Sequence, residues 1–70
     1  MPPKIRDLKK RLRKAGFSNT PDRGKGSHSI WIDPDNSENI VTLSGNDGNA
    51  AKRYQVRDTE AAIQRRGSSN

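Results

Sequence analysis

Ser27-His28-Ser29-Ile30-Trp31-Ile32-Asp33-Pro34-Asp35-Asn36-Ser37-Glu38-Asn39-Ile40-Val41-Thr42-Leu43-Ser44 contains two strands and the turn between them. Residues 27–33 and 39–44 are rich in β-branched and aromatic types, and each predicts a strand. Asp33-Pro34-Asp35-Asn36 separates them and has turn chemistry. Pro34 sets φ for the second position, and the Asp and Asn side chains accept bonds from nearby backbone. The expected result is an antiparallel hairpin.

Working toward the N-terminus, Phe17 opens a short, poorly patterned segment that ends near Asp22, and a third strand is an option there. Before it, residues 4–15 predict a helix. Ile5, Leu8, Leu12 and Ala15 recur at spacings of three, four and three, which makes a narrow apolar stripe. Pro2 and Pro3 suit the helix entrance, and Gly16 suits its left-handed end. Arg6, Lys9, Lys10 and Arg13 project along one flank of the same helix as a basic stripe. Working toward the C-terminus, Gly45-Asn46-Asp47-Gly48-Asn49 reads as a loop. Residues 55–66 predict a second helix, with Val56, Thr59 and Ile63 at helical spacing and Ala62 beside them. Residues 67–70 are expected to fray.

Two amphipathic helices need an apolar surface to cover, and the strands provide one. The reading is an α+β fold: helix, two or three antiparallel strands, helix. The 70 residues are expected to form a single domain, ordered over about 4–66.

Composition narrows the function. The hydrophobic fraction is 27% and the formal net charge is +6, values near those of disordered chains. The helical and strand patterns argue for a folded domain instead. The ends are basic and the middle acidic. Residues 1–25 carry nine Lys/Arg against two acids, residues 26–50 carry four acids and no Lys or Arg, and residues 51–70 carry five Lys/Arg against two acids. Basic ends suit phosphate-rich partners, and solvated helix faces are the plain alternative. With no cysteine, disulfides and thiolate metal sites are excluded. No apolar run is long enough for a membrane span, and Met1-Pro2-Pro3 leads into a charged helix. A cytoplasmic protein with no membrane contact is expected.

No metal or cofactor is expected either. Asp33, Asp35 and Ser37 begin like a calcium loop, but Glu38 stands where glycine is required and Ser44 where the closing glutamate belongs. No metalloprotease, phosphate-loop or dinucleotide motif occurs.

The basic helix (Leu8 to Ala15), Gly16-Phe17, Lys25-Gly26-Ser27-His28 and the aromatic Trp31 three residues on together resemble the HicA toxin family of type II toxin–antitoxin systems. The Val41-Thr42-Leu43 strand and the closing helix with Ile63 fit the same pattern, over about residues 4–65. The resemblance implies an α-β-β-β-α fold like that of double-stranded RNA-binding domains, with a three-stranded antiparallel sheet and two helices on one face. It implies metal-free cleavage of messenger RNA by one catalytic histidine, placed at His28, and neutralisation by a HicB-type antitoxin. Many members follow the third strand with Pro and then His. Here those places hold Ser44 and Asn46, so no second imidazole is carried over.

Histidine suits such chemistry. The 2′-hydroxyl is the nucleophile, one proton must leave it, another must reach the departing oxygen, and the phosphate needs positive charge. A histidine accepts or donates a proton near neutrality. Water or Lys25 would take the second proton role. Arg23 and Lys25, on a Gly-spaced turn just before His28, are placed to reach a phosphate, and Ser27 to orient it. RNA would lie along Arg6, Lys9, Lys10, Arg13 and this turn.

Each reading has a structural counterpart. Residues 28, 30 and 32 share one strand face. If Ile30 and Ile32 face the core, His28 is a satisfied residue at the core's edge. Ser27 then bonds only backbone, Arg23 and Lys25 are solvated, and Trp31 is packing rather than a base-stacking or antitoxin-contacting residue. Two rival functions stay open on the sequence alone: a non-catalytic RNA-binding module, and a structural partner of an acidic protein.

Overall fold

Trp31 is the bulkiest apolar side chain, and its burial sets which side of the hairpin is inside. The computed structural model describes residues 2–21 and 28–67. Its elements are α1 (Ile5–Lys14), β1 (Ser18–Pro21), β2 (His28–Asp33), β3 (Asn36–Ser44) and α2 (Arg53–Gly67). The segment after Phe17 is therefore a strand. The three strands form one antiparallel sheet in the order β1-β2-β3. This is the α+β, α-β-β-β-α arrangement, consistent with a fold like that of double-stranded RNA-binding domains.

Both helices cover one face of the sheet. Ile5, Leu8 and Leu12 of α1 and Ala62 of α2 pack with Phe17, Trp31, Val41 and Leu43. Each fully buried Leu or Ile is worth on the order of 1.5–3 kcal/mol. The Trp31 indole N–H donates to Ser29 Oγ at 3.1 Å, so the one polar atom of the ring is satisfied inside the core.

The bounds of β3 and α2 differ from the sequence expectation, and α1 is one residue shorter at each end. β3 starts at Asn36, not at residue 39, because the turn needs only Pro34 and Asp35 and the pairing resumes at once (Asp33 with Asn36). The next pair is Ile32 with Ile40, so β3 carries extra residues at a local irregularity. α2 starts at Arg53, two residues before the expected 55, and runs through Gly67, which was expected to fray. Its buried line is Gln55, Thr59 and Ala62, whereas Val56 and Ile63 are only partly buried. Gln55 displaces Val56 because both ends of its amide are bonded. Its Oε1 accepts from the Lys52 N–H at 2.8 Å, and its Nε2 donates to the Ser44 carbonyl at 3.0 Å. A fully bonded amide is tolerated in a core.

The chain runs back and forth between two ends. α1, β2 and α2 run one way, and β1 and β3 the other. One end therefore holds the C-termini of both helices and the β2–β3 turn, tied together by Arg66. Its Nε donates to the Ala15 carbonyl at 2.7 Å, and its Nη1 donates to Asp33 Oδ1 at 2.6 Å and Asp35 Oδ2 at 2.8 Å. Arg65 donates to Asn39 Oδ1 at 2.7 Å, and Asn39 donates to the Ala62 carbonyl at 3.0 Å and to Asp33 Oδ2 at 3.3 Å. Burial pushes the Asp33 carboxyl up. The Asp35 N–H, the Asn39 amide and the Arg66 charge outweigh it and hold the group below the ordinary aspartate value. Asp33 and Asp35 thus hold the Arg66 guanidinium. Gly16 ends α1 at φ +100°, and a Cβ there would lie 2.7 Å from Arg66 Nη2. No other residue type meets both demands well.

Candidate active site

His28 is the first residue of β2 and pairs with Ser44, the last of β3. Strand alternation groups it with Ile30 and Ile32, and across the sheet with Ser44, Thr42 and Ile40. This is the face turned away from the helices, because Ser29, Trp31 and Asp33 are the buried residues of β2. The condition under which His28 would sit at the edge of the core is therefore not met. Trp31, 1% exposed, is packing and presents no surface to a base or an antitoxin.

α2 runs along the free edge of β3. Tyr54, Asp58, Ala61 and Arg65 recur at spacings of four, three and four, so they share one helix face. That face and the open side of the sheet enclose a groove of about 550 Å³, lined by His28, Ile40, Thr42 and Ser44 from the strands and by Tyr54, Asp58 and Arg65 from the helix. Among the described residues, the large apolar side chains left exposed are Ile40 at 49% and Tyr54 at 48%. Both line this groove. The Gln55 bond to the Ser44 carbonyl pins the start of α2 beside the His28–Ser44 pair and so sets the width of the groove there.

The His28 ring is half-buried. Its Nδ1 is shut off from solvent and has no hydrogen-bond partner among the described residues. Buried polar atoms are nearly always bonded, and an orphan is unusual enough to need an explanation. One ring nitrogen of a neutral imidazole accepts and the other donates. Thr59 Oγ1 in the core is likewise without a partner among the described residues; unlike it, the His28 ring also lines the groove and so borders a space that a ligand can enter.

Tyr54, Asp58 and Arg65 do not stand out in the sequence. The signal available is their helical recurrence, but a mixed aromatic, acidic and basic stripe matches no motif.

The basic stripe of α1 lies elsewhere. Arg6, Lys9, Lys10 and Arg13 line a smaller cleft of about 230 Å³ with Asp7 and Asp47. His28 does not line it, and no stripe residue lines the His28 groove. Lys9 bonds Asp47 Oδ1 at 2.7 Å, and this bond and the Lys9 charge hold the Asp47 carboxyl below its ordinary value. The Arg13 guanidinium stands 5.7 Å from the Trp31 ring centroid, within cation–π range. Arg6 and Lys10 are exposed. Arg23, Lys25 and Ser27, the other expected RNA contacts, lie outside the described residues.

The stripe and the groove nevertheless meet at one end of the molecule. From Ser44 the chain enters the 45–49 loop, and the loop covers the start of α1. The Ile5 N–H donates to the Asn49 carbonyl at 2.9 Å and the Arg6 N–H to the Asp47 carbonyl at 3.2 Å. Two of the four unpaired N–H groups at that helix start are met in this way. The stretch from Asp47 to Tyr54 thus serves the fold directly, by capping α1 and then starting α2.

The family model of the HicA toxin of bacterial toxin–antitoxin systems matches residues 5–64. The chain belongs to the HicA toxin family. The matched span holds His28, the α1 stripe and every groove residue but Arg65. No curated protein and no solved structure gives a match. For a HicA chain, an antitoxin partner in general follows from the family. Among the described residues, no helix is long and apolar enough to cross a membrane.

Proposed function

We propose that this toxin is a metal-independent endoribonuclease acting on messenger RNA in the cytoplasm, with His28 as its catalytic residue and a HicB-type protein as its antitoxin. The observation that carries the reading is the orphaned Nδ1 of His28 in the wall of an open groove. Asn39 and Gln55, which serve the fold, are by contrast bonded at both ends of their amides.

In the reaction, the ribose 2′-oxygen attacks the adjacent phosphorus and the 5′-oxygen of the next nucleotide leaves. The first oxygen gives up a proton and the second gains one. His28 takes one of these roles, and water or Lys25 takes the other. Charge on the crowded phosphate is met by Arg23 and Lys25, five and three residues before His28 in the chain, with Ser27 orienting it. Arg6, Lys9, Lys10 and Arg13 hold flanking phosphates through the positive field at the same end. The Lys9–Asp47 bond gives Lys9 a smaller share than Arg6 or Lys10.

The test is RNA incubated with wild-type protein and with His28→Ala in EDTA. Cleavage by the wild type, with binding but no cleavage by the variant, is the expected result. RNA left intact by wild-type protein that binds it would make the chain a non-catalytic RNA-binding module.

A further inference from the structure

We propose that the His28 groove takes an unpaired nucleotide, with Tyr54 as the platform for its base, so that the substrate at the point of cleavage is single-stranded RNA. The inference rests on the ribonuclease reading and names its substrate class. The chain has one Trp, one Phe and one Tyr. Trp31 and Phe17 are in the core at 1% and 5% exposure, and Tyr54 is 48% exposed in the groove wall. A half-exposed phenol ring near the start of a helix, with Ile40 at 49% also lining the groove, is the one flat apolar surface the described residues offer a base. Stacking on such a ring is available to any base whose face is free, and a base inside a duplex has no free face.

The polar groups of the groove fit a nucleoside better than a phosphate. Asp58 stands one turn beyond Tyr54 and also lines the groove. Its carboxylate repels a phosphate, but it accepts hydrogen bonds from ribose hydroxyls and from the amino groups of bases. The Thr42 and Ser44 side chains, on the open strand face with His28, both donate and accept. Arg65, the one guanidinium lining the groove among the described residues, already donates to Asn39 Oδ1 at 2.7 Å, and the α1 cations line a separate cleft. Base and sugar therefore lie along α2, and the phosphate at the His28 rim. The groove volume of about 550 Å³ falls within the range of clefts that hold small ligands, roughly 300–1,000 Å³.

The test uses full-length protein carrying His28→Ala, so that RNA stays intact. Binding is measured to an oligoribonucleotide containing 2-aminopurine, single-stranded and annealed to its complement. Single strands should bind in preference, with a change in 2-aminopurine fluorescence that reports stacking. Adding Tyr54→Ala should weaken binding about 5- to 150-fold, the range for losing one base stack, and abolish the fluorescence change. Tyr54→Phe should restore both. Trp31 emission checks that each variant is folded. Equal binding of duplex and single strand, or RNA binding unchanged by Tyr54→Ala, overturns the proposal. So does a Tyr54→Ala protein that binds RNA normally but escapes its antitoxin, because the groove is then a protein-docking surface. If wild-type protein fails to cleave while the single-strand preference and Tyr54 dependence persist, the nuclease reading falls and the nucleotide groove stands.

Discussion

The two ends of the molecule are built on opposite terms. At the Arg66 end, a group of polar side chains is bonded across the chain: Arg66 to Ala15, Asp33 and Asp35, and Asn39 to Asp33, Ala62 and Arg65. These bonds join α1, the β2–β3 turn and α2 in a protein with few large apolar residues. At the His28 end, an imidazole nitrogen is buried without a partner among the described residues, an aromatic ring is half-exposed, and Arg6 and Lys10 are exposed. Satisfied polar groups hold a fold together, and an unsatisfied one that borders an open groove is placed to meet something that arrives later. The lesson is to look for function where the bonding is incomplete.

The largest expected effect tests that division most directly. His28→Ala should lower RNA cleavage by roughly 100- to 10,000-fold, the usual contribution of one general acid or base. Its melting temperature should stay close to that of the wild type, since the buried ring nitrogen has no bond to lose among the described residues. A large fall in stability with full activity per folded molecule would assign His28 to the scaffold and break the comparison.

At the other end the expectation reverses. Gly16→Ala should destabilise by at least about 1–2 kcal/mol, because φ is +100° and the new methyl meets Arg66. Its thermal melt should shift, while cleavage by the folded fraction stays normal.

Acid should also loosen the Arg66 end. The Asp33 carboxyl is held below its ordinary value in the fold. Its contribution is therefore fully present above the unfolded pKa of about 3.9 and is lost as pH falls through the lower folded value. Melting temperature should level off above about pH 5 and fall below about pH 4, and Asp33→Asn should flatten that fall. A variant whose acid profile matches the wild type would remove Asp33 from the account.

The smallest effect sharpens the electrostatic side of the His28 end. Lys10→Gln should reduce the slope of RNA affinity against salt by about one, with sequence preference and melting temperature unchanged. An unchanged slope would leave the α1 stripe as a solvated face.

Much of the fold was legible in the sequence because local pattern and tertiary need agree. The α1 stripe of Ile5, Leu8 and Leu12 is buried as the spacing predicts, and Pro34 makes the hairpin turn. The start of β3 was not legible, because Asn36, Ser37, Glu38 and Asn39 have low strand propensity and only the pairing with β2 makes them a strand. The buried line of α2 departs from the apolar spacing because a bonded glutamine outcompeted a valine for the interior. At the site, the Gly-Ser-His element drew attention to His28, whereas Tyr54 and Asp58 became visible only when α2 was laid along β3.

The sequence by itself determined that a basic amphipathic helix precedes a hairpin, and that His28, Ile30 and Ile32 share one strand face, because these follow from repeats of 3.6 and two residues. It left undecided which face of that hairpin the helices would cover, since alternation groups side chains without choosing between the groups. The three-dimensional packing made the choice by burying Trp31 with its hydrogen-bonded indole. That places His28 on the uncovered side, within a groove whose other wall lies 26 residues further along the chain at Tyr54.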